Sequence, residues 1–85
     1  MKLHLKRLAR EKEVRFPGVE HFRVYEARRR EERPGGFIYV VLEGEVVIDL
    51  PDGRYLHLRP FEAAHLKGPH VLLPVERALL LEVRA

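Results

Sequence analysis

The chain has 85 residues, 46% of them hydrophobic and 34% charged, with 16 Lys and Arg against 13 Asp and Glu, a formal net charge of +3 and no cysteine. This length holds one domain with a small core that gains from association between copies, and the hydrophobic share excludes a chain that stays disordered. The absence of cysteine excludes disulfides, zinc–thiolate centres and thiol nucleophiles, and no apolar run suits a secretory leader or a membrane span, so a soluble cytoplasmic protein is expected.

Residues 1–18 read as an N-terminal strand or arm, in which Leu3, Leu5 and Leu8 suit either a strand or a short helix running to Glu13. Val19 to Ala27 predicts a strand with Phe22 and Val24 on one face, and Arg28 to Gly36 predicts a charged loop. Phe37 to Leu42 and Glu45 to Leu50 are rich in aromatic and β-branched residues and predict two strands joined by a tight turn at Glu43-Gly44. Pro51-Asp52-Gly53 is a second turn, with Pro fixing φ and Gly supplying the positive φ. Arg54 to Arg59 then alternates, placing Leu56 and Leu58 on one face and Tyr55, His57 and Arg59 on the other. Pro60-Phe61-Glu62 and Gly68-Pro69 turn the chain again. Val71 to Leu73 and Ala78 to Val83 predict two last strands around Pro74 to Arg77. Turn signals recur about every eight to twelve residues, the rhythm of a sandwich or barrel, and no connection can hold a crossover helix.

The hairpin sequence Tyr39-Val40-Val41-Leu42-Glu43-Gly44-Glu45-Val46, followed by Pro51-Asp52-Gly53, by Leu58-Arg59-Pro60-Phe61-Glu62-Ala63-Ala64 and by Gly68-Pro69-His70, resembles the conserved core of the cupins. The resemblance, which covers roughly the last fifty residues, implies an all-β, antiparallel double-stranded β-helix of the jelly-roll type; the length gives one domain spanning 1–85, with the barrel expected over 19–85. Counted back from Gly44, the family's metal-binding Glu falls on Phe37 and its two His positions fall near Arg33 and Glu31, while His70 matches the His of the second motif. A barrel that has lost most of its metal ligands is therefore implied, and no cofactor is expected. A divalent metal held through His70 would need a rebuilt site, drawn from His57, His65 and His70 with Glu62.

Tyr39 shares a face with Phe37 and Val41, the face that the resemblance points into the barrel, and its hydroxyl needs a partner if buried. Tyr39, His57, His65 and His70 are the candidate ligand-binding residues; His65 and His70 flank the Gly68-Pro69 turn, whereas the row Tyr55, His57, Arg59 also suits a solvated strand surface. The opposite face of the same strand, Ile38, Val40 and Leu42, is apolar as well, and its natural cover is a second subunit, so a homodimer is expected. The preferred function is a metal-poor binding module for a small polar or anionic ligand, or a dimeric scaffold. The alternatives are a small metal-dependent cupin enzyme of isomerase, epimerase or oxygenase type, and a nucleic-acid binder. For the last, Lys2, Lys6, Arg7, Arg10, Lys12 and Arg15 form a basic strip, but Glu11 and Glu13 interrupt it and few aromatics are interleaved, so nucleic acid is not the expected partner. Arg and Glu with only two Asp give a surface like that of thermophile proteins.

Overall fold

Two long strands organise the computed structural model, which describes residues 2–85. They are β4 (Phe37–Asp49) and β7 (His70–Arg84), paired antiparallel from Phe37↔Arg84 to Asp49↔Val71. The other strands are β1 (Val14–Phe16), β2 (Val19–Ala27), β3 (Glu31–Arg33), β5 (Tyr55–Leu58) and β6 (Ala63–Leu66), and the helix α1 (Leu5–Ala9) precedes them. All pairings are antiparallel.

Both long strands bend, so one sheet forms two layers. The first half of β4 lies between β6 and the second half of β7, which continues to β2 and β1. The second half of β4 lies between β5 and the first half of β7, which continues to β3. Side chains that face inward from both layers, among them Tyr25, Phe37, Tyr39, Val41, Val46, Ile48, Leu58, Leu72 and Leu80, form one buried cluster. The result is an antiparallel β-barrel of the jelly-roll class, as the turn rhythm predicts.

The bend corrects two predicted boundaries. Gly44 is not a hairpin turn but the bulge of a continuous strand: it has φ +80° and lies opposite Ala78, with register shifts on either side. A Cβ there would lie 2.4 Å from the Arg77 carbonyl oxygen, so this crossing needs glycine both for its conformation and for its space. Across from it, Pro74 to Arg77 is a second irregularity within β7, with Glu76 at φ +65°, and does not separate two strands. A one-glycine bulge and a one-glycine hairpin look alike in sequence; pairing with a third segment decides between them.

Two strands were also hidden. β3 lies inside the predicted charged loop, and β6 follows the Pro60-Phe61-Glu62 turn without a β-branched residue to signal it. The N-terminal segment resolves as the short helix α1 followed by β1. Leu3, Leu5 and Leu8 pack with Val14, Val24, Leu42, Leu79 and Leu81, so the arm covers part of the first layer's outer face. A five-residue helix has almost no stability of its own, and this apolar contact holds it in place.

Candidate functional site

Inside the barrel, register brings together residues far apart in sequence. Tyr39 on β4 is paired with Glu82 on β7, Glu82 also with Arg23 on β2, and His70 at the start of β7 with Arg33 on β3. Paired residues share a face, and here that face is the core. His70 is 3% exposed and Glu82 6%, the two polar residues among the buried set.

The Tyr39 hydroxyl lies 2.8 Å from His70 Nε2, and His70 Nδ1 lies 2.9 Å from the Gly68 carbonyl oxygen. A carbonyl can only accept, so Nδ1 carries the proton in the neutral ring, and Nε2 accepts from Tyr39. Burial pushes the Tyr39 hydroxyl well above its ordinary range and keeps it protonated as that donor. The Phe37 ring stacks beside Tyr39 with centroids 5.9 Å apart and meets His70 edge-on at 6.4 Å. Both nitrogens of His70 are thus engaged within the protein.

Beside this pair lies an ionic clamp. Arg23 grips Glu82 in a fork, Nε to Oε2 at 2.8 Å and Nη2 to Oε1 at 3.1 Å, and Arg33 Nη1 reaches the same Oε1 at 3.0 Å. Burial alone would raise the Glu82 carboxyl, but the hydrogen bonds and charges of the two arginines outweigh it and hold the group below its ordinary value. Arg23 also lies over the Tyr25 ring, 3.8 Å from its centroid, and Arg33 over Phe37 at 4.4 Å. Among the described residues the buried Tyr25 hydroxyl has no hydrogen-bond partner.

The clamp opens on two cavities that share Arg33. One, of about 210 Å³, is bounded by Arg15, Arg23, Arg33 and Arg84 against Glu20 and Glu82, with Phe22 and Phe37 as walls. The other, of about 260 Å³, is bounded chiefly by Leu50, Pro51, Pro69, His70 and Val71, with Glu32 and Asp49 at its rim. Arg33 uses Nη1 for both Glu82 and Glu31; among the described residues no protein acceptor meets its Nε or Nη2. A larger hollow of about 440 Å³ lies at the Gly44 bulge and includes neither Tyr39 nor His70.

Of the four residues singled out from sequence, the structure joins Tyr39 and His70. His57 lies on β5 with its side chain 2.6 Å from Glu45, and His65 is exposed on β6 opposite Ile38. Both follow the outward parity of their strands. Glu82, Arg23 and Tyr25 were not singled out. The available signal was Glu82 itself, an acid in phase with Leu80 in the run Leu79-Leu80-Leu81-Glu82-Val83.

No family model matches the chain, and no curated protein matches it in sequence. Solved structures do match in three dimensions. A cupin-2 domain protein from Shewanella frigidimarina superposes with a TM-score of 0.66 at 16% identity, over 74% of this chain and 67% of that one. The fold is that of a small cupin. A protein from Neisseria meningitidis is similar over 99% of this chain and 98% of its own, with a TM-score of 0.75 at 13% identity. An HTH_3 family transcriptional regulator from Vibrio cholerae matches at 0.57 and 21% identity; 76% of this chain is covered, but only 43% of the regulator.

A cupin fold raises the question of a metal, and this donor set does not fit one. Phe37, Arg33 and Glu31 stand at the first-motif positions, and Glu31 is spent on Arg33. His70 Nε2 is taken by Tyr39, the Arg33 guanidinium places a fixed cation on the His70 side of the site, and no group of three or more His, Asp or Glu among the described residues is placed to hold an ion.

Proposed function

We propose that this small cupin is a metal-poor binding module that takes a small anion at its open end, with Arg33 and Arg84 as the contacting residues. The observation that carries the reading is the imbalance around the 210 Å³ cavity, where four arginines face two glutamates. Arg15 is spent on Glu13 and Arg23 on Glu82, whereas, among the described residues, two donors of Arg33 lack a protein acceptor and Arg84 makes only a long 3.5 Å contact with His21 Nδ1. A planar guanidinium with Nε and Nη2 unspent suits a carboxylate or phosphate group, and the walls of Phe22 and Phe37 lower the local dielectric around it. The volume of about 210 Å³ limits the ligand to a small molecule, below the usual size of a drug-like site. That a barrel of this fold forms part of a transcriptional regulator is consistent with a binding rather than a catalytic role.

The test is thermal unfolding with inorganic phosphate, oxalate and benzoate, each against chloride at equal ionic strength. At least one anion is expected to raise Tm in a saturable way, as selective binding to the folded state requires, and Arg84→Ala with Arg33→Lys should lose most of the effect. If none of the three exceeds chloride, the anion site is wrong. Elemental analysis of protein purified without chelator or metal-affinity tag tests the other half, and a stoichiometric transition metal would overturn it.

A further inference from the structure

The edge of β5 is open, since among the described residues this strand pairs with β4 alone. The turn before it is a three-residue loop in which Gly53 N–H donates to the Leu50 carbonyl at 3.1 Å and Leu50 N–H to the Arg54 carbonyl at 2.9 Å, with Gly53 at φ +89°. Leu50 and Arg54 therefore form a hydrogen-bonded pair. Alternation along an antiparallel ladder makes Ile48 with Leu56 and Val46 with Leu58 bonded pairs too, and turns the N–H and C=O of Tyr55 and His57 outward. The strand is only four residues long, but within that length its edge carries no Pro, no Lys and no bulge.

The same stretch gathers exposed apolar surface. Of the five large hydrophobic residues exposed among those described, Tyr55, Leu56 and Phe61 fall within seven positions. Leu56 is 37% exposed although its partner Ile48 on the same face is fully buried, because no strand lies beyond it. Phe61 is 84% exposed and has φ +69°, at the third position of the Arg59–Glu62 turn, where glycine is favoured. It is fixed there by Phe61 N–H to the Val41 carbonyl at 2.6 Å, Val41 N–H to the Glu62 carbonyl at 3.0 Å, and Arg59 N–H to the Glu62 carboxylate at 2.8 Å. A rigid aromatic held in solvent at a conformational cost does nothing for the core.

We propose that the β5 edges of two copies pair antiparallel about a two-fold axis at Leu56, joining the β3-β7-β4-β5 layers of both into one sheet. In this register Tyr55 of each copy forms a bonded pair with His57 of the other, and Leu56 meets Leu56. The outward donors and acceptors are satisfied, the exposed Leu56 is covered, and no like charges stand opposite within the strand. The hairpin tip of one copy lies alongside the Arg59–Phe61 turn of the other. Asp52 then approaches Arg59, and Phe61 approaches a hollow of about 310 Å³ walled by Leu50, Pro51, Leu66 and Pro69. Such self-complementarity selects a second copy as the occupant. It also differs from a dimer through Ile38, Val40 and Leu42, since Leu42 is already packed under the chain's own arm.

Sedimentation equilibrium of the full chain across micromolar concentrations tests the pairing. The wild type is expected to dimerise, His57→Ala, which loses the imidazole and its Glu45 contact, to stay dimeric, and His57→Pro, whose missing N–H is an outward one and none of the β4–β5 ladder, to be monomeric with an unchanged circular dichroism spectrum. Phe61→Gly should weaken the dimer by about tenfold or more, the effect of losing one buried aromatic anchor. Hydrogen exchange on the wild type gives an independent readout if His57→Pro does not fold: Tyr55 and His57 amides are expected to be as protected as Leu56 and Leu58. A monomeric wild type, a dimer that persists in folded His57→Pro, or rapid exchange at Tyr55 and His57 would each overturn the proposal.

Discussion

Two buried tyrosines in this barrel differ by one hydrogen bond, and that difference predicts opposite responses to the same substitution. Tyr39 is fully buried and donates to His70 Nε2, which has no other partner among the described residues. Tyr39→Phe removes the donor and leaves a buried ring nitrogen unsatisfied, a loss of about 1–3 kcal/mol. Tyr25 is 7% exposed and its hydroxyl has no protein partner among the described residues, so Tyr25→Phe removes a buried polar group and keeps the ring under Arg23. Tyr25→Phe should be neutral or stabilising by up to about 1 kcal/mol. Urea unfolding of both variants measures this through the midpoint, and equal losses at the two positions would contradict the assignment of partners. Tyr39 and His70 were legible in sequence because both lay on motifs of a known barrel. The absence of a partner for Tyr25 was not legible, since it depends on what three other strands place around the hydroxyl.

At the scale of elements, the bend shared by β4 and β7 determines where the core residues point. The register slips at Gly44, so Val41 and Val46 both face inward although five positions apart. Gly44→Ala should therefore destabilise strongly. A non-glycine residue in the left-handed region costs about 1–3 kcal/mol, and the added Cβ also meets the Arg77 carbonyl oxygen at 2.4 Å, so the loss should reach the upper end of that range or exceed it. Thermal unfolding of Gly44→Ala beside Gly53→Ala isolates the packing part, since Gly53 also has positive φ but has nothing near its Cβ position. Periodicity identified which residues on either side of Gly44 were apolar, but it reports local burial and not strand continuity, hence the predicted hairpin. The same blindness hid β3. Alternation of Glu31, Glu32 and Arg33 is invisible when all three are charged, and Arg33 can turn inward only because Glu82, forty-nine positions later, is there to meet it.

The clamp at Glu82 acts on the whole molecule, because it joins β2 and β7 of one layer to β3 of the other through a single carboxylate. Its effect on stability depends on pH with a definite sign. The folded-state pKa lies below the ordinary glutamate value of 4.5, so the unfolded chain takes up the proton first as pH falls. The stabilisation is complete above that value and is lost as pH drops through the folded-state pKa, when Arg23 and Arg33 are left facing each other without a shared anion. Unfolding midpoints measured from pH 7 to pH 3 should be level in the upper range and fall below about pH 4.5, and Glu82→Gln should start lower and lose part of that fall. Removing one partner of a buried pair costs about 3–5 kcal/mol, and the partial exposure of Arg23 places Glu82→Gln at the lower end of that range or below it. The same substitution bears on binding. Glu82 neutralises part of the positive charge of Arg23 and Arg33 that an anion at Arg33 would meet, so Glu82→Gln should lower stability yet enlarge the Tm increase given by the anion that binds the wild type. A loss of stability without that enlargement would show that the arginines at the open end serve the fold and not a ligand.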